Sequence, residues 1–514
     1  MDKSRDISLL RAREEAPTLT RRQIVQGAVA LAASSLLSGC GSSNSTPAPQ
    51  PVAQTNPQPV PAGSLTQASL TVTATAAGSI GAAFAGLSYE KSQLYGPLFT
   101  ASNTDLIGIF QRLGPSILRI GGNSVDRNVW TPNGPGQTVG QIAPSDVDSL
   151  AAFVKAAGWQ CLYGINLGGA ATGATTPALA AAEVAYAAQQ FGSSLLGIEI
   201  GNEPDLYGDT GNYFAGNWSL SQFLTLWGQF RAAILASTPG VPITGPADAS
   251  NEATWTVPFG QTVTKSEITL LTQHYYRANG QLPTSTAAYL ITPDPTLIAD
   301  LAILEAGAPS IGVPYRMSEC NSFYNGGASG VSDSYASSLW VIDYLFNCVQ
   351  GGAVGVNFHG GGDGTGYTPI ANSAATVVAR PEFYGILLFT LASQGTLYTT
   401  QVDAGTLNVT AYAVKTSSGG LNLIVVNKDL TQNLQLTTQL PGSASSATLL
   451  AMTQLTSGAT GPNLSATSGV TIQGASVNPD GTFSPAAAYT LEPSGSQLTC
   501  YVPALSAVLI QIVS

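Results

Sequence analysis

Two glutamates, Glu203 and Glu319, carry the clearest chemical potential in this chain. Each closes a short apolar run, Gly197-Ile-Glu-Ile-Gly-Asn-Glu203-Pro204 in one case and Pro314-Tyr-Arg-Met-Ser-Glu319 in the other. A single carboxylate at a strand end is more often ion-paired or solvated than reactive, so the pair is the signal. Two carboxyls held in different environments can divide the labour, one protonated as an acid and one ionised as a nucleophile. What the chain lacks narrows the alternatives. It holds only two histidines, His274 and His359, and no Cys-x-x-Cys pair, which excludes a three-histidine or thiolate zinc site. Neither a Gly-x-Ser-x-Gly elbow nor a Gly-x-x-x-x-Gly-Lys loop occurs. Cys320 beside Glu319 keeps a Cys–His pair open as a rival arrangement. Nothing in the sequence calls for a metal or an organic cofactor.

Composition says what kind of body could hold such a pair. Of 514 residues, 44% are hydrophobic and only 9% are charged, a balance that supports a large core and opposes disorder. The net charge is −11, and Lys and Arg are absent between Cys40 and Lys91. So basic-poor a body lacks the clustered cations that phosphate neutralisation needs, and nucleic acid is set aside as a partner.

Residues 1–40 read as an export signal. Arg21-Arg22 precedes an apolar run too short to span a bilayer, and Leu37-Ser-Gly-Cys40 has the form of a lipobox, with lipidation expected at Cys40. The alternative is a buried N-terminal helix. Segment 41–65 is uncharged and rich in Ser, Pro, Gln and Ala, which predicts a flexible linker. The expectation is an exported protein, periplasmic or at the cell surface, touching membrane only through the lipid. Twin-arginine cargo folds before export, so Cys161, Cys320, Cys348 and Cys500 are expected as buried free thiols.

The elements that must position the two glutamates follow from the pattern beyond residue 82. Apolar runs at 82–89, 115–121, 159–166, 195–202, 241–246, 267–275, 314–319 and 352–358 alternate with helical stretches. Those lie near 103–113, 146–157, 177–191, 219–237, 251–261, 294–307, 332–350 and 376–393. Eight strand–helix units of this size predict an α/β fold, a (β/α)8 TIM barrel over 82–393. From 394 to 514 helical patterning stops, and strand-like segments at 406–414, 420–426, 447–453, 497–502 and 504–512 predict a β-sandwich. The strand-like stretch in 66–81 is expected to complete that sandwich.

Active sites of such barrels lie at the C-terminal strand ends, and the polar residues of this chain collect there. Strand one ends in Tyr89-Glu90, and strand two in Arg119 with Gly-Gly-Asn123. Asn166 closes strand three, and Asn202-Glu203 closes strand four. His274-Tyr275-Tyr276 ends strand six, Glu319-Cys320-Asn321 strand seven, and Asn357-Phe358-His359 strand eight. Strands four and seven face each other across the barrel mouth, so both carboxylates can flank a ring held over its centre.

These motifs resemble the large barrel clan of retaining glycosidases, and the wider text is similar to glycoside hydrolase family 79, the β-glucuronidase and heparanase family. The matching pieces are Gly86-Leu-Ser-Tyr-Glu90, Leu118-Arg-Ile-Gly-Gly-Asn123-Ser, Glu199-Ile-Gly-Asn-Glu203-Pro-Asp205, His274-Tyr-Tyr276 and Glu319-Cys-Asn-Ser-Phe-Tyr324-Asn-Gly. The resemblance covers about residues 66–514. It implies Glu319 as nucleophile and Glu203 as acid/base, with Arg119 and Tyr276 bonded to the nucleophile and Asn202 to the sugar 2-hydroxyl. Glu90, Asn123, His274 and Tyr275 would line the sugar site. A glucuronide carboxylate would be met by Tyr324, Asn325 and Gly326 after strand seven and by Tyr367 in the glycine-rich loop after strand eight. The expected partner is a glucuronide or uronic-acid-containing glycan. A neutral sugar, endo action, or a surface lipoprotein that only captures polysaccharide are the competing readings. Arg119 could equally be a structural ion pair, and both histidines could be rim residues bonded to backbone.

Overall fold

The computed structural model describes residues 56–513 apart from 210, 217, 361–365, 374–375 and 393. The export signal with Cys40, most of the linker, and the centre of the glycine-rich loop lie outside the described residues. Everything described belongs to one compact unit, 55–514.

Strands that are apolar on both faces must be covered on both faces, and here they achieve it by closing on one another. Ala85–Glu90, Ile117–Gly121, Gln160–Ile165, Leu195–Ile200, Ile243–Asp248, Leu270–Asn279, Tyr315–Tyr324 and Val356–Gly360 form a closed barrel in chain order, all parallel. Helices Thr104–Arg112, Pro144–Ala157, Pro177–Phe191, Leu220–Ser237, Val257–Val263, Pro295–Ile311, Tyr335–Gln350 and Pro381–Ala392 follow the strands in turn. Their starts are chemically marked. Asn103, Thr176, Ser219 and Asp294 each accept a backbone N–H of the first turn, and proline opens the helices at 177 and 295.

Two helix boundaries differ from expectation. The helix expected from 376 starts at Pro381, because Ile370–Ser373 and Thr376–Ala379 pair as a small antiparallel hairpin before it. The fifth helix is only seven residues long and is preceded by a wider turn at Glu252–Thr256.

Beyond the barrel lies one ten-stranded sheet. Leu65–Ile80 runs antiparallel to Gly395–Asp403 and parallel to Asn433–Gln439, joining the two halves of that sheet. The inner faces enclose a second core, with Leu70, Val72, Leu423, Val425, Leu434, Leu436, Cys500 and Ile510 buried together. Strands Gly395–Asp403 and Asn433–Gln439 were not anticipated, since their outward faces are Thr and Gln and their apolar content is low. The linker expected over 41–65 is also shorter. From Asn56 the chain is bound to the sheet, Asn56 donating to the carbonyls of Ala487 and Ala488 and Gln58 to that of Tyr501. Cys161, Cys320, Cys348 and Cys500 are buried and unpaired.

Candidate active site

The mouth of the barrel is organised around a fully buried guanidinium. Arg119, on the second strand, donates Nε to Glu199 Oε2 at 2.6 Å, Nη1 to Glu319 Oε2 at 2.6 Å, and Nη2 to Asn202 Oδ1 at 2.8 Å. One side chain therefore ties strands two, four and seven, and its charge is held by two carboxylates. The Tyr276 hydroxyl donates to the other oxygen of Glu319 at 2.7 Å. Burial alone would raise the Glu319 carboxyl. The positive field of His359 and Arg119 and the hydrogen bond from Tyr276 outweigh it and hold the group well below the usual carboxylate range.

Glu203 has the opposite environment. It is partly buried, at the end of strand four, with backbone φ of 51° in the left-handed region, an uncommon conformation for a residue with a side chain. Several groups impose that turn. The Glu203 N–H donates to the Ala247 carbonyl at 2.9 Å. Asp205 accepts from the N–H groups of Ala249 and Ser250 and from Asn251 Nδ2, clamping the Asn-Glu-Pro-Asp turn to the loop after strand five. Burial, then repulsion from Glu319, push the Glu203 carboxyl up to about 8. His274 Nδ1 lies 3.1 Å from Glu203 Oε1, and burial pulls that imidazole down to about 4, so it is neutral at physiological pH. The ligating atoms of Glu203, His274 and Glu319 all fall within 4.8 Å of one another. Such a trio has a metal site's donor set, but a dication there would sit beside the Arg119 charge already bonded to Glu319.

His359 completes the floor on strand eight. Its Nδ1 lies 3.1 Å from Ser88 Oγ and 3.6 Å from Glu319 Oε2, and its Nε2 is 3.7 Å from Glu90 Oε1. Burial opposes its charge, yet Glu319 and Glu90 raise its pKa. The Glu90 carboxylate in turn accepts from the N–H groups of Asn123 and Ser124 and from Ser124 Oγ.

The sequence-derived residues divide into those that the structure gathers and those that it does not. Arg119, Tyr276, Asn202, Glu90, His359 and the two glutamates form one network. Tyr367 joins it, its ring 5.7 Å from that of Tyr276 and 5.9 Å from that of His359. Gly326 and Gly327 lie against Gly366 and the Tyr367 N–H so closely that a Cβ on Gly327 would fall 2.6 Å from that nitrogen. Asn325 adopts φ of 61° and bonds through Nδ2 to Asn279, and Tyr324 is 44% exposed on the same loop. Two positions need correction. Tyr275 does not face the mouth. Successive strand residues point to opposite faces, so with His274 and Tyr276 turned inward Tyr275 lies outside the barrel, stacked on Tyr344 and donating to Asp294 at 2.6 Å. His274 has no exposed surface at all and meets Glu203 instead of open cleft. Asn123 is exposed, and its bond into the network is through its backbone N–H.

Two residues were missed. Glu199 is the second counter-charge of Arg119, an inward-facing acid in an otherwise apolar strand. Asp126 is buried, and its carboxylate accepts from the N–H groups of Leu167, Gly168 and Asn202 and from the Tyr207 hydroxyl. It thereby welds the loops after strands two, three and four behind Glu203.

No family model matches the chain. A β-glucuronidase of Aspergillus niger is 24% identical over 320 residues, 56% of this chain and 59% of its own length. One from Neurospora crassa is 23% identical over 333 residues, 56% and 57%. The likeness is to β-glucuronidases. The chain spans under three fifths of the length of these relatives. Among solved structures, a 4-O-α-L-rhamnosyl-β-D-glucuronidase from Fusarium oxysporum superposes with a TM-score of 0.69 at 18% identity, covering 86% of this chain and 99% of that one. A family 51 arabinofuranosidase from Xanthomonas axonopodis superposes at 0.61 and 13% identity, covering 87% and 100%. The fold is that of the (β/α)8-barrel glycoside hydrolases with an appended β-sheet region, and the relatives and neighbours named are glycoside hydrolases.

Proposed function

We propose that this chain is a retaining exo-β-glucuronidase, with Glu319 as nucleophile and Glu203 as acid/base. The observation that carries the reading is the divergence of two carboxyls within 4.8 Å of each other, one raised to about 8 and the other held well below the usual range. That spacing suits direct attack on the anomeric carbon, while an inverting pair stands roughly 6.5–9.5 Å apart to admit a water. In the first half-reaction Glu319 attacks the anomeric carbon and Glu203 gives its proton to the departing oxygen. Esterification removes the Glu319 charge, which lowers the Glu203 pKa and lets it deprotonate the water that breaks the ester. Asn202, whose Oδ1 is taken by Arg119, offers Nδ2 to the sugar 2-hydroxyl.

The glucuronide assignment rests on the relatives and on the loop after strand seven. Arg380 is paired with Asp333 of that loop. A substrate carboxylate would therefore be bound by hydroxyls of Tyr324 and Tyr367 and by the N–H groups around Gly326. Export under the twin-arginine signal and lipid attachment at Cys40 belong to the same proposal and rest on sequence alone.

The test is a panel of aryl β-glucuronide, β-glucoside, β-xyloside and α-arabinofuranoside. Preferential cleavage of the glucuronide, abolished in Glu319→Ala, is the expected result. Preference for a neutral sugar would retire the carboxylate pocket and keep the two glutamates. Silence on all four would refute exo action on aryl glycosides.

A further inference from the structure

A cavity of about 350 Å³ lies outside the barrel wall, where the segment after strand six, helix Tyr335–Gln350 and the sheet strand Val409–Thr416 meet. Its apolar lining is mostly buried, with Leu290, Leu297, Trp340, Tyr344 and Tyr412 forming the floor. Ile298 is 50% exposed and stands at the edge. The volume is near the small end of the range for ligand sites, and an apolar lining with a few polar groups is their usual character. The wall towards the catalytic mouth is closed. Tyr344 stacks on Tyr275, their rings 5.9 Å apart, and Tyr275 lies on the outer face of strand six. A molecule in this cavity therefore does not reach Glu203 or Glu319.

The polar groups of the lining decide the guest. Asp343 accepts from the hydroxyls of Thr410 and Tyr412 and from the Lys428 ammonium. Arg277 donates to the carbonyls of Leu290, Thr292 and Pro293 and to the Thr292 hydroxyl, and its Nε lies 3.7 Å from Asp294. Each of these four charges has its counter-charge, so an ionic guest finds no free partner. Asn408 gives its Nδ2 to the Ile291 carbonyl. The half-buried Asn347 side chain makes no hydrogen bond among the described residues, so its amide is free to bind. A sugar would leave most of its hydroxyls unpaired against such a lining, and unpaired buried hydroxyls oppose binding. A flat apolar ring with one hydroxyl has what the cavity offers, aromatic surface below and one amide at the side.

We propose that this cavity is a second, non-catalytic binding site for small neutral aromatic alcohols, with the ring against Trp340, Tyr344 and Tyr412 and the hydroxyl on the Asn347 amide. Such alcohols are the leaving groups of aryl glycosides, so the site would hold a released aglycone away from the catalytic mouth. That use of the site rests on the hydrolase reading above; the binding itself does not.

The experiment titrates the protein with 2-naphthol by calorimetry, beside 2-naphthoate as the same rings with a charge and D-glucose as a neutral sugar. Wild type and Glu319→Ala are expected to bind 2-naphthol equally at one site, and to bind the other two at least tenfold more weakly. Ile298→Trp, whose indole covers the opening, should weaken 2-naphthol at least tenfold. Asn347→Ala should weaken it by up to about tenfold, the value of one hydrogen bond. Both variants alter residues that are not fully buried, and their melting temperatures without ligand show whether they are folded. No binding to wild type, or binding that both folded variants keep in full, overturns the site. Tighter binding of 2-naphthoate or glucose overturns the class of guest. Because Glu319→Ala needs no turnover to be titrated, neither failure depends on which glycoside the protein cleaves.

Discussion

The barrel buries two arginines, one near each end, and they are stabilised in opposite ways. Arg119 at the catalytic mouth is bonded to two carboxylates, and its pKa stands above the ordinary value although burial opposes it. Arg316, on strand seven three residues before Glu319, is also fully buried, yet its partners are neutral. It donates to the carbonyls of Ala83, Phe84 and Val356 and to Asn357 Oδ1, and burial pulls it down to about 9. The lower arginine ties strands one, seven and eight together by donating to their backbone carbonyls and to Asn357. The upper one holds two negative charges in place, one of them on the group assigned as nucleophile. A buried cation alone therefore says little about function; the charge of its partners does.

Substitutions at the two positions should separate these roles. Arg119→Met is expected to cut kcat/KM by about 10²–10³, as loss of one preorganised electrostatic donor does, because Glu319 would lose its counter-charge. Arg316→Met should leave kcat per folded molecule unchanged. It should lower unfolding free energy by about 3 kcal/mol, since several backbone carbonyls lose a hydrogen bond from a charged group; denaturant titration beside steady-state kinetics reads both. The reverse pattern would undo the contrast.

A finer version lies within strand six. Tyr276→Phe removes the hydrogen bond to Glu319 and should cost about tenfold or more in kcat. Tyr275→Phe removes only the bond to Asp294 on the outer face and should leave kcat and KM alone, with a stability loss of about 1 kcal/mol.

A further expectation concerns the pH dependence of stability. Glu203 is raised from the ordinary carboxylate value in the unfolded chain to about 8 in the folded one. Between those values the folded state binds more protons, so this group erodes stability as pH rises through that window. Glu203→Gln lacks the ionisation and should melt higher than wild type at pH 8, with the difference vanishing near pH 4. The wild-type kcat/KM should also fall as pH passes about 8.

Much of this was legible in sequence because a barrel's catalytic residues must lie at strand ends. Glu203, Glu319, Arg119 and Tyr276 could be placed by finding where each apolar run stops. The error at Tyr275 came from taking His274-Tyr-Tyr276 as a block, although strand alternation already divides it. Asp126 was invisible for a different reason. Its four partners come from segments 41 to 81 residues away, and nothing in its own surroundings announces them. The Thr- and Gln-rich strands of the sheet escaped because one face meets water and thins the apolar signal. The hairpin before the last helix replaced helical pattern with pairing to 370–373, a contact that a local reading does not contain.

The central claim is the division of labour between Glu203 and Glu319, and azide rescue tests it most directly. Glu203→Ala would be assayed on 2,4-dinitrophenyl β-glucuronide, whose leaving group needs no acid, with and without sodium azide. The account predicts acceleration by azide and a β-glucuronosyl azide product, because the anion would take the place of the base and attack the Glu319 ester. An α-azide, or no response to azide from a folded variant that still turns over, would contradict it.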